Sequence, residues 1–122
     1  MTEVNQDRPI VDVEYLQSIT GGDATFEKEL LQLFLDSSGD NLERIADALE
    51  LCDDEAWYKA SHAFKGSAAS IGAFGLSEIL EYAQKHNKDG IKEKTEVLSK
   101  IKAEFVKVEA QLKVEIAKRS AE

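Results

Sequence analysis

The sequence predicts an all-α protein, an antiparallel up-down four-helix bundle with one or two short accessory helices at the N-terminus. Apolar residues recur at spacings of three and four in one segment after another, which is the period of a helix with one buried face. No stretch alternates apolar and polar residues for long enough to compete as a strand, and no internal repeat is present. Short turn signals separate the segments, which favours neighbouring antiparallel helices.

Length and composition limit both the domain count and the class of partner. A chain of 122 residues suits one domain with a modest core, and we expect a flexible leader at 1–9 followed by a single bundle domain at 10–122. The net charge of −9 and the pI near 4.7 argue against nucleic-acid binding. No apolar run approaches the ~20 residues of a membrane span, and no signal peptide is visible. The expected location is the cytoplasm, away from membranes.

The single cysteine, Cys52, excludes an internal disulfide. It follows an apolar segment, so we expect a packed thiol without reactivity.

The first third of the chain predicts a short helix and two longer ones. Asp12 and Asp23 are candidate N-caps, and Gly21-Gly22 separates the helices that they start. A broad buried stripe is expected in the second helix, formed by Phe26, Leu30, Leu33, Phe34 and either Leu31 or Leu35. The segment Ser37-Ser38-Gly39 predicts a break, after which Asp40 begins a third helix with core residues Leu42, Ile45, Ala46 and Leu49. These two helices are expected to be either antiparallel neighbours or nearly continuous with a kink.

A helix centred on His62 organises the rest of the chain. It follows the acidic start Asp53-Asp54-Glu55, and its apolar face consists of Trp57, Ala60, Ser61, Phe64, Ala68 and Ile71. Measured from the middle of that face, His62 lies about 140° away, Ala69 about 120° and Gly66 about 180°. His62 is therefore expected to point into solvent, and Gly72 to end the helix.

Two further helices complete the predicted bundle. The first has a core face of Leu76, Ile79, Leu80 and Ala83 and ends at the turn signal 87–90. Gln84 lies about 90° from that face, and an antiparallel arrangement through the Gly72 to Gly75 turn would bring it alongside His62. The last helix, from about Lys92 to Lys118, has a buried seam of Leu98, Ile101, Phe105, Val108, Leu112 and Ile116.

The surface around His62 has features that favour contact with another protein. Gly66 in mid-helix costs about 1 kcal/mol relative to alanine, and close approach by a partner would explain it better than a helix crossing does. Lys65 can place its ammonium near whatever the imidazole carries, and a solvated surface charge is an equal alternative for it. Tyr58, one turn before His62, would border such a contact surface, and the small Ala69 would keep it open.

These residues resemble a known family. The pattern His62-x-x-Lys65-Gly66-Ser67, followed by Gly72-Ala73 and Leu76, is similar to that of the histidine-containing phosphotransfer (HPt) domains of two-component phosphorelays. The resemblance implies that His62 accepts a phosphoryl group from a receiver-domain aspartate and passes it to another response-regulator aspartate. It also implies that Gln84 hydrogen-bonds the imidazole, and that the partners are receiver domains of hybrid sensor kinases and response regulators. Family members are often monomeric, and we expect a monomer.

The chemistry expected of such a domain needs little beyond the histidine. A neutral imidazole offers a free lone pair for a phosphoryl group, and Lys65 and Gln84 would complete the catalytic set. Gly66, Ala69 and Tyr58 would form the partner contact. The chain has no Walker loop, no kinase glycine loop and no acidic cluster beside His62. We therefore expect a phosphohistidine carrier without ATP-dependent kinase activity and without a cofactor of its own, Mg²⁺ being supplied by the receiver.

Other interpretations remain open from the sequence. The chain could be a helical interaction module that binds or sequesters a partner without carrying phosphate, and an acid-lability test after incubation with a phosphorylated receiver separates the two. It could also be a module cut from a larger sensor kinase, although its termini lead us to expect a free-standing protein. His86 is expected to interact with a helix end rather than to pair with His62 on a metal, because two histidines without a third ligand make a weak site.

Overall fold

The computed structural model describes residues 9–120. These residues contain five α-helices joined by short turns. They are α1 (Val13–Thr20), α2 (Ala24–Glu50), α3 (Asp54–Ser70), α4 (Phe74–Lys85) and α5 (Ile91–Ser120). Helices α2 to α5 form an antiparallel bundle in which α3 and α5 each pack between α2 and α4, so that they occupy opposite corners. α1 is accessory and contacts α2. The predicted fold class is confirmed, whereas the predicted leader at 1–9 lies outside the described residues except for Pro9.

Aspartate side chains start the first three helices. Asp12, Asp23 and Asp53 each accept a hydrogen bond from the backbone N–H three residues later, which satisfies one of the free donors at a helix N-terminus. The capping roles expected of Asp12 and Asp23 are therefore present. None of the helices within 9–120 is long and apolar enough to cross a membrane.

The predicted break at Ser37-Ser38-Gly39 is wrong, because α2 continues through it without interruption. Serine favours helix ends when its hydroxyl competes for backbone groups. Here the Ser37 and Ser38 hydroxyls instead donate to the carbonyls of Phe34 and Leu35, one turn earlier in the same helix. Packing of α2 along α3 and α5 then outweighs the low helix propensity of three residues. Of the two arrangements left open, near-continuity was closer to the structure.

The buried stripe of α2 is rotated from the predicted one. Leu31 and Phe34 are buried, but Phe26 is 43% exposed and Leu33 65% exposed, so the placement of those two in the core was wrong. The buried line of α2 continues through Ser38, Asn41, Ile45 and Ala48. Leu33 lies about 200° round the helix from Leu31, and the dense run of leucines concealed which of them face inward. In α3, by contrast, the predicted apolar face is buried throughout.

The expectation of a packed Cys52 is also wrong. Cys52 is exposed in the turn between α2 and α3, where its φ of 55° puts it in the left-handed region. The turn closes through hydrogen bonds from the N–H groups of Cys52 and Asp53 to the carbonyls of Leu49 and Ala48. This tight reversal turns the thiol outward.

A partly buried polar cluster lies at the end of the bundle where α3 begins. The Lys94 ammonium of α5 lies 2.6 Å from the Asp54 carboxylate and 5.2 Å from the centre of the Trp57 ring. The Trp57 indole N–H donates to the backbone carbonyl of Ala83 in α4, at 2.8 Å. Because buried donors cost free energy when unpaired, this bond strongly favours one register of α4 against α3.

Gly72 follows the C-terminus of α3 and is hydrogen-bonded to Asp12, the N-cap of α1. Its φ is 83°, and its carbonyl accepts a hydrogen bond from the N–H of Asp12 at 2.9 Å. A Cβ at position 72 would lie 2.8 Å from the Asp12 carbonyl oxygen, whereas one at Gly21, whose φ is 70°, would meet no atom within 4 Å.

Gly72→Ala is therefore expected to destabilise the fold much more than Gly21→Ala. Both variants place an L side chain in the left-handed region, which costs about 1–2 kcal/mol. Gly72→Ala must in addition displace the backbone at Asp12, so we expect at least about twice that loss. Urea unfolding followed by circular dichroism measures both, and equal losses would contradict the role given to the Asp12 contact.

The opposite end of the bundle contains a buried charge network. Arg119 of α5 lies 2.9 Å from a Glu27 oxygen of α2 and 2.7 Å from a Glu115 oxygen, and the Thr20 hydroxyl of α1 donates to Glu27. Burial alone would raise the pKa of Glu115, but hydrogen bonds from Arg119 and Gln111 and the charge of Lys118 outweigh it and lower that pKa. The network joins α1 and the C-terminal end of α5 to α2.

Arg119→Met should destabilise the protein at pH 7 by about 3 kcal/mol, because it removes the buried guanidinium that the carboxylates of Glu27 and Glu115 share. The pKa of Glu115 is lower in the folded state than in the unfolded state. Its ionised carboxylate therefore stabilises the fold at a pH above the unfolded-state pKa, and this contribution is lost as the pH falls through the folded-state pKa. The deficit of the variant should therefore shrink on acidification below about pH 4.

The matched control is Lys118→Met, since Lys118 pairs with the same Glu115 from an exposed position. It should change stability by less than about 1 kcal/mol. Urea titrations at several pH values compare the three proteins, and a pH-independent deficit for Arg119→Met would refute the linkage.

Candidate functional site

His62 lies on the exposed outer surface of α3, as its helical position predicts. Its Nδ1 is 3.3 Å from the side-chain oxygen of Gln84, which is half-buried on α4. Two features produce this arrangement. The turn at 71–73, closed by a hydrogen bond from the Ala73 N–H to the Ala68 carbonyl, reverses the chain, and the Trp57 bond to Ala83 fixes the residue next to Gln84. The structure thus brings together two residues that the sequence predicted to be neighbours.

The contact with Gln84 determines where the imidazole carries its proton. A carboxamide oxygen only accepts hydrogen bonds, so Nδ1 of His62 must be the donor in this arrangement. The neutral ring then has its lone pair on Nε2. The bond is long at 3.3 Å, and His62 remains exposed while it is made.

Tyr58 borders the imidazole on the side of the α3 N-terminus. The two rings are almost parallel, with 3° between their planes and 6.3 Å between their centres. Tyr58 is exposed and therefore presents an aromatic surface beside the histidine. The structure thus places Tyr58 next to His62, whereas its predicted place at the border of a partner contact stays a prediction.

Gly66 and Ala69 leave the surface on the other side of His62 open. Gly66 is exposed, and a Cβ added to it would meet no atom within 4 Å. Packing inside the chain therefore does not require glycine at this position, which removes helix crossing as its explanation. Ala69 is half-buried and adds only a methyl group. The result is a shallow, small-residue surface that another molecule can approach closely.

Lys65 lies on the flank of α3 that faces α4. Its carbonyl accepts a hydrogen bond from the Ser77 hydroxyl at 3.3 Å, and its side chain is near Glu81. The pKa of Glu81 is lowered, first by a hydrogen bond from Lys85 and that residue's charge, and further by the charge of Lys65. Sequence reasoning missed Glu81, although its position one turn before Gln84 and four residues before Lys85 was a usable signal.

The second histidine occupies a different environment. His86 is the C-cap of α4, where its ring lies 3.8 Å from that of Tyr82 and its Nδ1 is 2.9 Å from the Tyr82 carbonyl oxygen. This matches the helix-end position expected of it. Within residues 9–120, no three His, Cys, Asp or Glu side chains lie close enough together to hold a metal ion.

Comparisons with known proteins identify the family and the fold. A model of the Hpt domain family matches residues 29–115. The crystal structure of histidine-containing phosphotransfer protein B (HptB) from Pseudomonas aeruginosa PAO1 is similar in fold, with a TM-score of 0.83 over 90% of this chain and 96% of that one, at 23% sequence identity. No curated protein matches significantly in sequence. Because the family match spans more than half of its length, the chain belongs to the Hpt domain family.

Proposed function

We propose that His62 is the phosphoacceptor of this Hpt protein. Members of the family are phosphorelay intermediates, which carry a phosphoryl group on histidine and are not kinases. The observation that carries the assignment is the exposed His62 ring, oriented by Gln84 next to an open surface at Gly66. The other histidine is engaged at a helix end and lacks both features.

The transfer step follows from the position of the lone pair. Nε2 of His62 attacks the phosphorus of a receiver aspartyl phosphate, a new P–N bond forms, and the bond from phosphorus to the aspartate oxygen breaks. The aspartate leaves as a carboxylate, and the reverse exchange with a second receiver regenerates the neutral imidazole. Such transfer depends mainly on alignment and charge stabilisation. Lys65 would offset phosphoryl charge, while Nδ1–H donation to Gln84 holds the ring in line.

The partners of Hpt domains are response-regulator receiver domains. For this chain we propose receivers of hybrid sensor kinases as donors, a monomeric state and a cytoplasmic location. Mg²⁺ would come from the acidic pocket of the receiver, because phosphoryl transfer needs a divalent ion near the aspartate. Tyr58, Gly66 and Ala69 would contact the receiver.

Incubation with a phosphorylated receiver domain and Mg²⁺ tests the function. Phosphate should move to the chain in a form that is labile to acid and stable to alkali, and ATP alone should give no labelling. Binding of the receiver without any transfer would refute the proposal and support a sequestering module instead.

Gln84→Leu is expected to slow transfer by about 10-fold or more without preventing it, because the ring loses its acceptor and its preferred tautomer. Binding of the receiver should be nearly unchanged, since Gln84 is half-buried beside the ring. Rapid-quench kinetics with a saturating receiver separates the transfer rate from affinity. An unchanged rate would remove Gln84 from the catalytic set.

A further inference from the structure

The outer face of α5 carries an apolar stripe that nothing in the described chain covers. Its residues are Ala103, Val106, Ala110, Val114 and Ala117, all exposed, with Val106 63% and Val114 53% accessible. Their spacing of three and four keeps them on one side of the helix over about 21 Å. The bundle seam lies on the opposite side, at Ile101, Phe105, Val108 and Leu112.

Lysines line both edges of this stripe. Lys102 and Lys113 follow one edge, with Glu109 between them, and Lys107 and Lys118 follow the other. Three of them make only long contacts within α5, of 3.7 Å for Lys113, 4.0 Å for Lys107 and 3.5 Å for Lys118, and remain about two-thirds exposed. α5 as a whole has eight Lys or Arg against five Glu, a balance of +3, whereas the chain carries −9. The rest of the protein therefore carries −12.

We propose that this face of α5 is a second docking surface, which binds an acidic amphipathic helix of another protein. An apolar stripe between two edges on which lysine predominates fits a helix whose own apolar seam is flanked by glutamate or aspartate. The alanines allow the two helix axes to approach closely, to about 8–10 Å. The expected contact is small and therefore weak or transient.

Charge and composition argue against the two other occupants that such a face could have. Two copies packed through this stripe would place their lysine rows against one another, and like charges across an interface are unfavourable. A helix that lies on a lipid surface typically inserts Trp, Phe or Leu, whereas this stripe offers only alanine and valine. An acidic helix satisfies both the apolar stripe and the lysines.

The position of α5 makes this surface independent of the phosphotransfer site. α5 and α3 occupy opposite corners of the bundle, so the stripe faces away from His62. A partner on α5 can therefore stay bound while receivers exchange at His62. Such an anchor would raise the local concentration of the carrier near its receivers without taking part in the chemistry.

The experiment uses the isotope-labelled full chain and two synthetic helical peptides. One peptide has leucine at its seam positions and glutamate on both flanks, and the other has lysine in place of every glutamate. The glutamate peptide should shift amide resonances of residues 103–117 and bind at least about 10-fold more tightly than the lysine peptide. Phosphotransfer from a receiver should stay within about 2-fold when this peptide is saturating.

A paired variant with two substitutions in the stripe, together with a control on α2, tests whether the stripe binds the peptide. Val106→Glu combined with Ala110→Glu should weaken binding of the glutamate peptide by at least about 10-fold. Leu33→Glu, a change of the same kind at an exposed position on α2, should leave binding unchanged. Shifts on another face, or undiminished binding by the paired variant, would overturn the proposal. The proposal would also be overturned if the chain self-associates in sedimentation, or binds anionic vesicles, and the paired variant abolishes that association or binding.

Discussion

His62→Gln is expected to abolish phosphorylation of the chain by a phosphorylated receiver. Glutamine keeps the polarity and approximate size of the side chain but has no nucleophilic lone pair of the imidazole type. The transferred label should fall to background, a loss of at least about 1000-fold for a covalent carrier that has lost its nucleophile. Because His62 is exposed and contributes nothing to the core, the helical circular dichroism and the unfolding midpoint should stay unchanged.

The chain provides its own control for this experiment. His86→Gln removes the other histidine, which caps α4 and stacks on Tyr82. It should retain transfer at the wild-type rate, and any loss of stability should be no more than about 1 kcal/mol. Label that persists in His62→Gln and disappears in His86→Gln would move the phosphoacceptor to position 86.

Gly66→Gln is expected to reduce transfer by about 100-fold or more while the free protein becomes slightly more stable. A Cβ at this position meets no atom within 4 Å, so the added side chain would project into the space that the proposed receiver contact occupies. Replacing a mid-helix glycine removes a penalty of up to about 1 kcal/mol. A loss of transfer without a loss of stability would place the effect at the contact with the receiver.

Gly39→Gln is the matched control. Gly39 is also exposed within a helix, and a Cβ there likewise meets no atom within 4 Å. It should give the same gain in stability with no change in transfer, as measured by urea unfolding and by rapid-quench assays. If both glycine variants transfer normally, the open surface at Gly66 has no part in docking.

The sequence predicted the helices that carry the site better than the helix that supports them. In α3 one tryptophan, one phenylalanine and small residues occupy the inward positions, so the apolar face has a single direction and His62 must point outward. Gln84 could be placed beside it because the turn at Gly72 is short and the two helices are regular. Periodicity is informative when apolar and polar residues separate cleanly around the helix.

α2 lacks that separation, which explains physically why its buried stripe was predicted wrongly. Leucine or phenylalanine occurs at 30, 31, 33, 34 and 35, so several stripes fit the helical period equally well. The structure selects Leu31 and Phe34 because packing against two other helices, which no single segment encodes, decides the inward direction. The sequence also did not predict the buried Lys94 or the Glu27 to Arg119 network, because the paired residues are 40 and 92 positions apart in the chain.

The indole of Trp57 connects the interior of the bundle to the chemistry on its surface. Its single bond to the Ala83 carbonyl holds α4 at one height, and the very next side chain is the amide that meets the imidazole. If receivers dock at His62 as proposed, the exposed positions around it could vary from one receiver to another without changing the orientation of the ring. Under the proposed function, receiver specificity and the orientation of the ring would therefore depend on separate parts of the same helix pair, one exposed and one buried.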